Sequence, residues 1–232
     1  MIHGFGSESG MWRPLVAALP GERPVLAVDL PSHGLSPSHA TSFAAIVDAV
    51  AAVLAEEAVP EAHLAGHSLG AAVAVALSDG GQVGARSLFL MSPAGLGPDI
   101  DGAFLSGFTR ARDAASLAPW MRMLVHDPDS LPASLVDATI RSRGERDLLG
   151  AQAALAEDLF PDATQVFSVR AALQRVAVPA RIVFGLADRI IPARHTSGLP
   201  GTVGLHLFPQ VGHMPHLEVR DAVGKLLGEH IR

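Results

Sequence analysis

Three residues in this chain have the types, and the chain order, that nucleophilic acyl chemistry needs. Ser68 stands in Gly66-His67-Ser68-Leu69-Gly70, a G-x-S-x-G pattern between a short apolar run and a small-residue helical pattern. In that setting a sharp strand-to-helix turn lifts the serine hydroxyl off a sheet, and glycines at 66 and 70 let neighbouring backbone pass close by. A hydroxyl is a poor nucleophile until a base takes its proton. An acid and then a histidine should follow the serine, each in a loop at the C-terminal edge of the sheet. Asp188, in Gly185-Leu186-Ala187-Asp188, follows an apolar run that ends at Phe184. His213, in Gly212-His213-Met214-Pro215, follows one that ends at Phe208. His213 is the expected general base, and Asp188 the residue that fixes its tautomer and stabilises the imidazolium. An ordinary turn or capping role is the plainer reading of Asp188. Asp29 is the rival acid, but it precedes the serine.

An oxyanion site needs two backbone donors aimed at the developing charge. Leu69 N–H is one by position, at the start of a helix whose dipole favours negative charge. Phe5 N–H, between the glycines of His3-Gly4-Phe5-Gly6, is the expected second; a simple glycine turn is the alternative there. His3, His67, Phe104, Phe108, Trp120 and Met214 are expected to line the substrate pocket. His3 is also placed to brace its own turn. His33 reads as a loop brace, and His216 as the start of the last helix, although its spacing from His213 lets it face the same cleft. The other histidines are scattered without metal-ligand spacing such as H-E-x-x-H, so no metal is expected.

Stepping outward, short apolar runs alternate with helical patterns, which predicts a mostly parallel sheet with crossover helices. Strands are expected at Arg23–Leu30, Ala62–Gly66, Ser87–Met91, Ala180–Phe184 and Gly204–Phe208. Ser42 should cap a helix whose apolar residues Phe43, Ile46, Val47, Val50, Val53 and Leu54 share one face. Further helices are expected at Leu69–Leu77 and Val219–Ile231. Between Pro93 and Val178 the strand rhythm stops and helical patterns take over. The expected organisation is a core of residues 1–97 and 178–232 with a helical cap insertion over 98–177. Additional core helices are the alternative. Met1-Ile2 is too short for a strand before the His3-Gly4 loop, so the N-terminal strands are expected to be largely missing from this chain.

The 232 residues suffice for one larger α/β domain. Cysteine is absent, which excludes disulfide, thiolate and cysteine–zinc chemistry. Net charge is −6 and the basic residues are scattered, an argument against nucleic acid as a partner. No apolar run reaches membrane-spanning length, and the first residues lack the basic-then-apolar order of a signal peptide. The expected partner is a small-molecule acyl substrate, with no membrane, and the expected location is the cytoplasm.

Taken together, His3-Gly4-Phe5-Gly6 with Trp12, Asp29-Leu30-Pro31-Ser32-His33-Gly34-Leu35-Ser36, the Ser68 motif, Asp188 and Gly212-His213 resemble the α/β-hydrolase superfamily across nearly the whole chain. Ser32 departs from the glycine common in the second motif. Ser92-Pro93-Ala94-Gly95-Leu96-Gly97-Pro98-Asp99-Ile100, Phe104-Leu105-Ser106-Gly107-Phe108 and Asp188-Arg189-Ile190-Ile191-Pro192 are similar to the catalytic domain of the acetoin dehydrogenase complex dihydrolipoyl acetyltransferase. That resemblance implies acyl transfer from a lipoyl thioester to coenzyme A, both as substrates, with a lipoyl domain or dehydrogenase complex as partner and no cofactor bound by this chain. Lys225, the only lysine, lies in the predicted closing helix rather than in a lipoyl-bearing hairpin. Two other readings stand beside this one: a hydrolase of small esters, thioesters or C–C bonds, and a non-catalytic binding protein of the same fold. The presence of all three triad residues speaks against the last.

Overall fold

The computed structural model describes residues 1–145 and 148–232. Four parallel strands form the sheet in the order β1 (Glu61–His67), β2 (Gly84–Met91), β3 (Ala180–Gly185) and β4 (Val203–Phe208). β1 and β2 pair from Glu61 opposite Gly84 to His67 opposite Met91, so both strands end at one edge. β3 and β4 finish beside them, with Gly185 opposite Phe208. The loops leaving that edge carry Ser68, Asp188 and His213.

Alternation along the strands sends side chains to two apolar layers. Leu88 and Leu90 of β2 and Ile182 and Phe184 of β3 join one layer, with α2 (Phe43–Glu56) and α3 (Leu69–Asp79). Phe89, Met91 and Val183 face the other, with Trp12, Leu15 of α1 (Arg13–Ala17), and Val223 and Leu227 of α10 (Arg220–His230). Burial on both faces is what a parallel sheet requires. α2 starts where its cap was expected: Ser42 Oγ accepts Ala45 N–H at 3.1 Å. The expected last helix, Val219–Ile231, forms as α10, and a short α9 (Pro215–Glu218) that holds His216 precedes it.

The expected strand at Arg23–Leu30 is not formed. Only Val28 bridges to Ile2, its N–H bonding Met1 O at 3.0 Å. Pro24 has no N–H to give a ladder, and the pairing stops at the Val28–Ile2 bridge. Ile2 in turn bridges Gly66 of β1. A cavity of about 430 Å³ separates Pro24–Leu26 from the first half of β1. Ser32, the departure from glycine, has φ 65°, a left-handed conformation that glycine adopts more easily.

Residues between β2 and β3 are helical: α4 (Gly102–Arg110), α5 (Ala114–Met123), α6 (Ala133–Glu145), α7 (Leu148–Leu159) and α8 (Arg170–Arg175). Aspartates start two of them, Asp101 accepting Phe104 N–H at 2.6 Å and Asp113 accepting Ser116 N–H at 2.8 Å. Gln165 joins the two ends of the segment. Its Oε1 accepts Gly95 N–H at 2.8 Å, and its Nε2 donates to Gly97 O at 2.9 Å and Asp99 O at 3.0 Å. Among the described residues no helix is long and apolar enough to cross a membrane.

Candidate active site

Ser68 occupies the turn between β1 and α3 at φ 52°, ψ −118°. A serine holds this strained conformation only where its surroundings fix it. Its N–H bonds Met91 O at 2.9 Å. A Cβ on Gly66 would meet the backbone of Gly70 and Ala71, and one on Gly70 would meet the carbonyl oxygens of Ile2 and His3. The two glycines therefore let helix, strand and His3 loop approach closely, as the motif predicts.

Asp188 and His213 meet across two loops. His213 Nδ1 lies 2.7 Å from Asp188 Oδ2, and the Asp188 carboxylate is wholly buried. Asp188 Oδ1 accepts the N–H groups of Ile190 at 2.8 Å and Ile191 at 3.0 Å. These bonds fix the carboxylate as the acceptor for a protonated Nδ1, leaving Nε2 free to take a proton. His213 and Ser68 line the same cavity of about 560 Å³. They are not hydrogen-bonded to each other in this resting arrangement. Such contacts commonly tighten only with substrate.

The His213 loop is anchored from three directions. His67 Nε2 donates to His213 O at 2.8 Å, and His213 N–H bonds Leu124 O at 2.8 Å. The Glu218 carboxylate accepts Gly212 N–H at 2.7 Å and His126 N–H at 2.6 Å. Arg189 Nη2 donates to Val125 O at 2.6 Å. The residues after α5 are thereby tied to the loop that carries His213.

Phe5 lies in the same cavity wall, in a loop held by a different histidine. His33 Nε2 accepts Gly6 N–H at 2.8 Å, and its Nδ1 donates to Pro31 O at 2.8 Å. Both ring nitrogens are thus committed to backbone, confirming His33 as a loop brace. Gly6 N–H is used in this way and Ser7 N–H bonds Gly4 O, which leaves Phe5 N–H outside those bonds. Leu69 N–H is in the first turn of α3 and has no intrahelical acceptor. Asp29 is excluded as the partner of His213: its carboxylate accepts Ser9 N–H at 2.6 Å and Leu35 N–H at 2.8 Å.

Of the expected pocket residues, His67, Phe104, Phe108 and Met214 line the cavity. His3 and Trp120 do not. His3 is fully buried, Nδ1 donating to Gly4 O at 2.8 Å and Nε2 accepting Leu30 N–H at 3.0 Å, so the backbone uses both nitrogens. Trp120 packs on α4 at Gly107, while Met121, one position on, faces the cavity. A change of about 100° around the helix separates the two. Gln152 and Arg143, which the sequence did not single out, also line the cavity, as does His216, whose spacing from His213 allowed for that.

His216 is buried against His67, ring centroids 4.6 Å apart, and neither of its nitrogens has a partner. Burial, then the nearby His213, pushes its pKa down to about 3. Burial, followed by His216 and His213, holds His67 well below the ordinary histidine value. Both rings are therefore neutral and place no positive charge beside the Asp188–His213 pair. Among the described residues no cluster of three His, Cys, Asp or Glu side chains could hold a metal ion.

Residues 1–226 match the family model described as the alpha/beta hydrolase family. The chain belongs to the alpha/beta hydrolase family. It is 32% identical over 234 residues to the dihydrolipoyllysine-residue acetyltransferase component of the acetoin cleaving system of Pseudomonas putida; all of this chain and 62% of that protein are covered. The chain thus spans under two thirds of the length of that relative. It is 33% identical over 252 residues to a pimeloyl-[acyl-carrier protein] methyl ester esterase of Neisseria meningitidis, covering all of this chain and 92% of the esterase. A meta-cleavage product hydrolase from Pseudomonas fluorescens IP01 shares the fold with a TM-score of 0.86, at 18% identity over 99% of this chain and 88% of that one. Membership places the protein among hydrolase-fold enzymes.

Proposed function

We propose that this protein is a serine-nucleophile acyl-transfer enzyme in which Ser68 is the nucleophile, His213 the general base and Asp188 the residue that orients the base. The observation that carries this reading is the buried Asp188–His213 pair at 2.7 Å, opening on the cavity that holds Ser68 in its strained turn. Ser68 Oγ attacks the acyl carbon as His213 Nε2 takes the hydroxyl proton. The carbonyl oxygen becomes an oxyanion beside the N–H groups of Phe5 and Leu69. Collapse expels the alcohol or thiol, which leaves with the proton from His213, and an acyl group remains on Ser68. Water or an incoming thiol repeats the sequence in reverse and frees the serine. The helical segment 98–177 acts as the cap over this chemistry.

For the acceptor, we read the chain as transferring an acetyl group from a lipoyl thioester to coenzyme A, with a lipoyl domain as partner. Its likeness to two acetoin-system acetyltransferase components, at 29% and 32% identity, supports this. Hydrolysis of a small ester is the second reading, supported by the esterase relative. Acetyl-dihydrolipoamide distinguishes them. A transferase forms acetyl-CoA faster with coenzyme A present than it releases acetate alone, and Ser68→Ala stops both. Rapid acetate release that coenzyme A neither diverts nor accelerates rejects the transferase. Undiminished fluorophosphonate labelling of Ser68→Ala rejects the nucleophile.

A further inference from the structure

The cavity holds a positive charge that the acyl chemistry leaves unused. Arg143, on α6, is only 4% exposed and lines the same cavity as Ser68 and His213. Its guanidinium carbon lies 3.9 Å from the centroid of the Phe108 ring, and Nη1 donates to Phe108 O at 3.0 Å. Nε and Nη2 are buried and have no acceptor. Among the described residues no carboxylate pairs with this cation, and burial alone lowers its pKa to about 10. A buried guanidinium normally has both a counter-charge and filled hydrogen bonds. Here both are lacking on one edge of the group.

That edge has a defined chemistry. Nε–H and Nη2–H point the same way and match the two oxygens of a carboxylate. Arg175 uses this edge elsewhere in the molecule, Nε to Asp79 Oδ1 at 2.9 Å and Nη2 to Asp79 Oδ2 at 2.6 Å. Arg143 presents the same fork with nothing in it. Gln152 Oε1 is also buried without a donor, while its Nε2 is taken by Ser32 O at 3.2 Å. The two side chains make a polar pole near the Ser32-His33 loop, in a cavity whose apolar wall includes Phe5, Phe104, Phe108 and Phe160 and whose other charged lining residues are Glu8, Arg13 and Arg220.

We propose that the substrate carries a carboxylate, held by the Nε–Nη2 edge of Arg143 while its acyl carbon lies at Ser68. The substrate class is then an ester or thioester of a dicarboxylic acid, with an apolar spacer along the phenylalanine wall. This inference rests on the Ser68 acyl-enzyme reading and names its substrate. It deepens the ester-hydrolysis reading of the site rather than the acetyl one, since acetyl has no acid to fill the fork.

The test compares p-nitrophenyl monoesters of succinic, glutaric and adipic acids with p-nitrophenyl pentanoate, hexanoate and heptanoate. At one chain length at least, wild type should prefer the acid over the neutral ester by about tenfold or more in kcat/KM, a ratio equal to about 1.4 kcal/mol. Arg143→Met should collapse that ratio about tenfold, and Arg143→Lys should retain part of it. Free adipate or glutarate should compete with the neutral ester in wild type. That measurement and the wild-type ratio decide the matter even if the variants do not fold. A wild-type ratio at or below one at every length, or a ratio untouched in Arg143→Met, overturns the proposal. Ser68 labelled by a fluorophosphonate, with neutral esters turned over but no acid preference, removes this inference alone. An unlabelled Ser68 removes the acyl-enzyme reading and this one with it.

Discussion

Asp188 illustrates how much one carboxylate can be asked to do. One oxygen takes two backbone N–H groups and the other takes His213 Nδ1, so no acceptor position is spare for a substituted amide. Asp188→Asn must turn an NH₂ either toward the Ile190 and Ile191 donors or toward His213, where it forces the wrong tautomer. We expect kcat to fall by roughly 10³–10⁴, the scale of a triad that keeps its shape but loses its tautomer, with the far-ultraviolet spectrum unchanged. A loss below tenfold in steady-state assays would remove Asp188 from the chemistry. At this scale the meeting of Asp188 with His213, and their shared cavity with Ser68, was legible because motif, loop position and chain order are local or ordinal properties. Arg143 was not. Arg141, two residues earlier on the same helix, is exposed while Arg143 is buried, and only the packing of α6 distinguishes them. His3 was read both as a brace and as a pocket residue, and only the brace holds: a histidine in a glycine turn looks the same whether its nitrogens face a ligand or the backbone.

Among the elements, β1 to β4 and the helices α2, α3 and α10 lie within a few residues of their expected spans, because apolar periodicity and caps declare them. Arg23–Leu30 failed because strand formation depends on a neighbour as well as on composition. The pairing it makes in the structure is the single bridge from Val28 to Ile2. The segment between β2 and β3 was legible as helical, but not which face of each helix turns inward, hence the error at Trp120. Glycine positions provide a test at this scale. Gly70→Ala drives a methyl group into the Ile2 and His3 carbonyls, backbone that cannot swing aside. It should lower urea-unfolding stability by about 1–3 kcal/mol. Gly150→Ala, on α7 with nothing within 4 Å of the added carbon, should instead raise stability by about 0.5–1 kcal/mol. Equal midpoints for the two variants would contradict the packing described around α3.

Besides His213, the molecule buries His3, His33, His67 and His216 near the candidate site. Burial is the leading cause of lowered pKa in all four, reaching about 3 for His33 and His216. Each stays neutral in the fold but takes a proton in the unfolded chain near the ordinary value of 6.5. The unfolded state therefore binds more protons below that pH, and stability falls as pH drops from about 6.5 toward 3 and is level above it. Each such histidine contributes a slope of up to about 1.4 kcal/mol per pH unit. Calorimetry should show Tm dropping steeply from pH 6.5 to 5 and little change from 7 to 8. His216→Phe should make the acid side shallower. A flat Tm from pH 8 to 5 would contradict the neutral burial of these rings. The ties between the Leu124–His126 stretch and the His213 loop set a direction of movement for the same molecule. Any shift of the helices that pulled on Leu124 O or on the Glu218 carboxylate would pull on the His213 loop. The Leu124–His126 seam thus couples the helical segment to the His213 loop, so the two should move as one unit and a variant that cuts the tie, such as Glu218→Gln, should loosen both together.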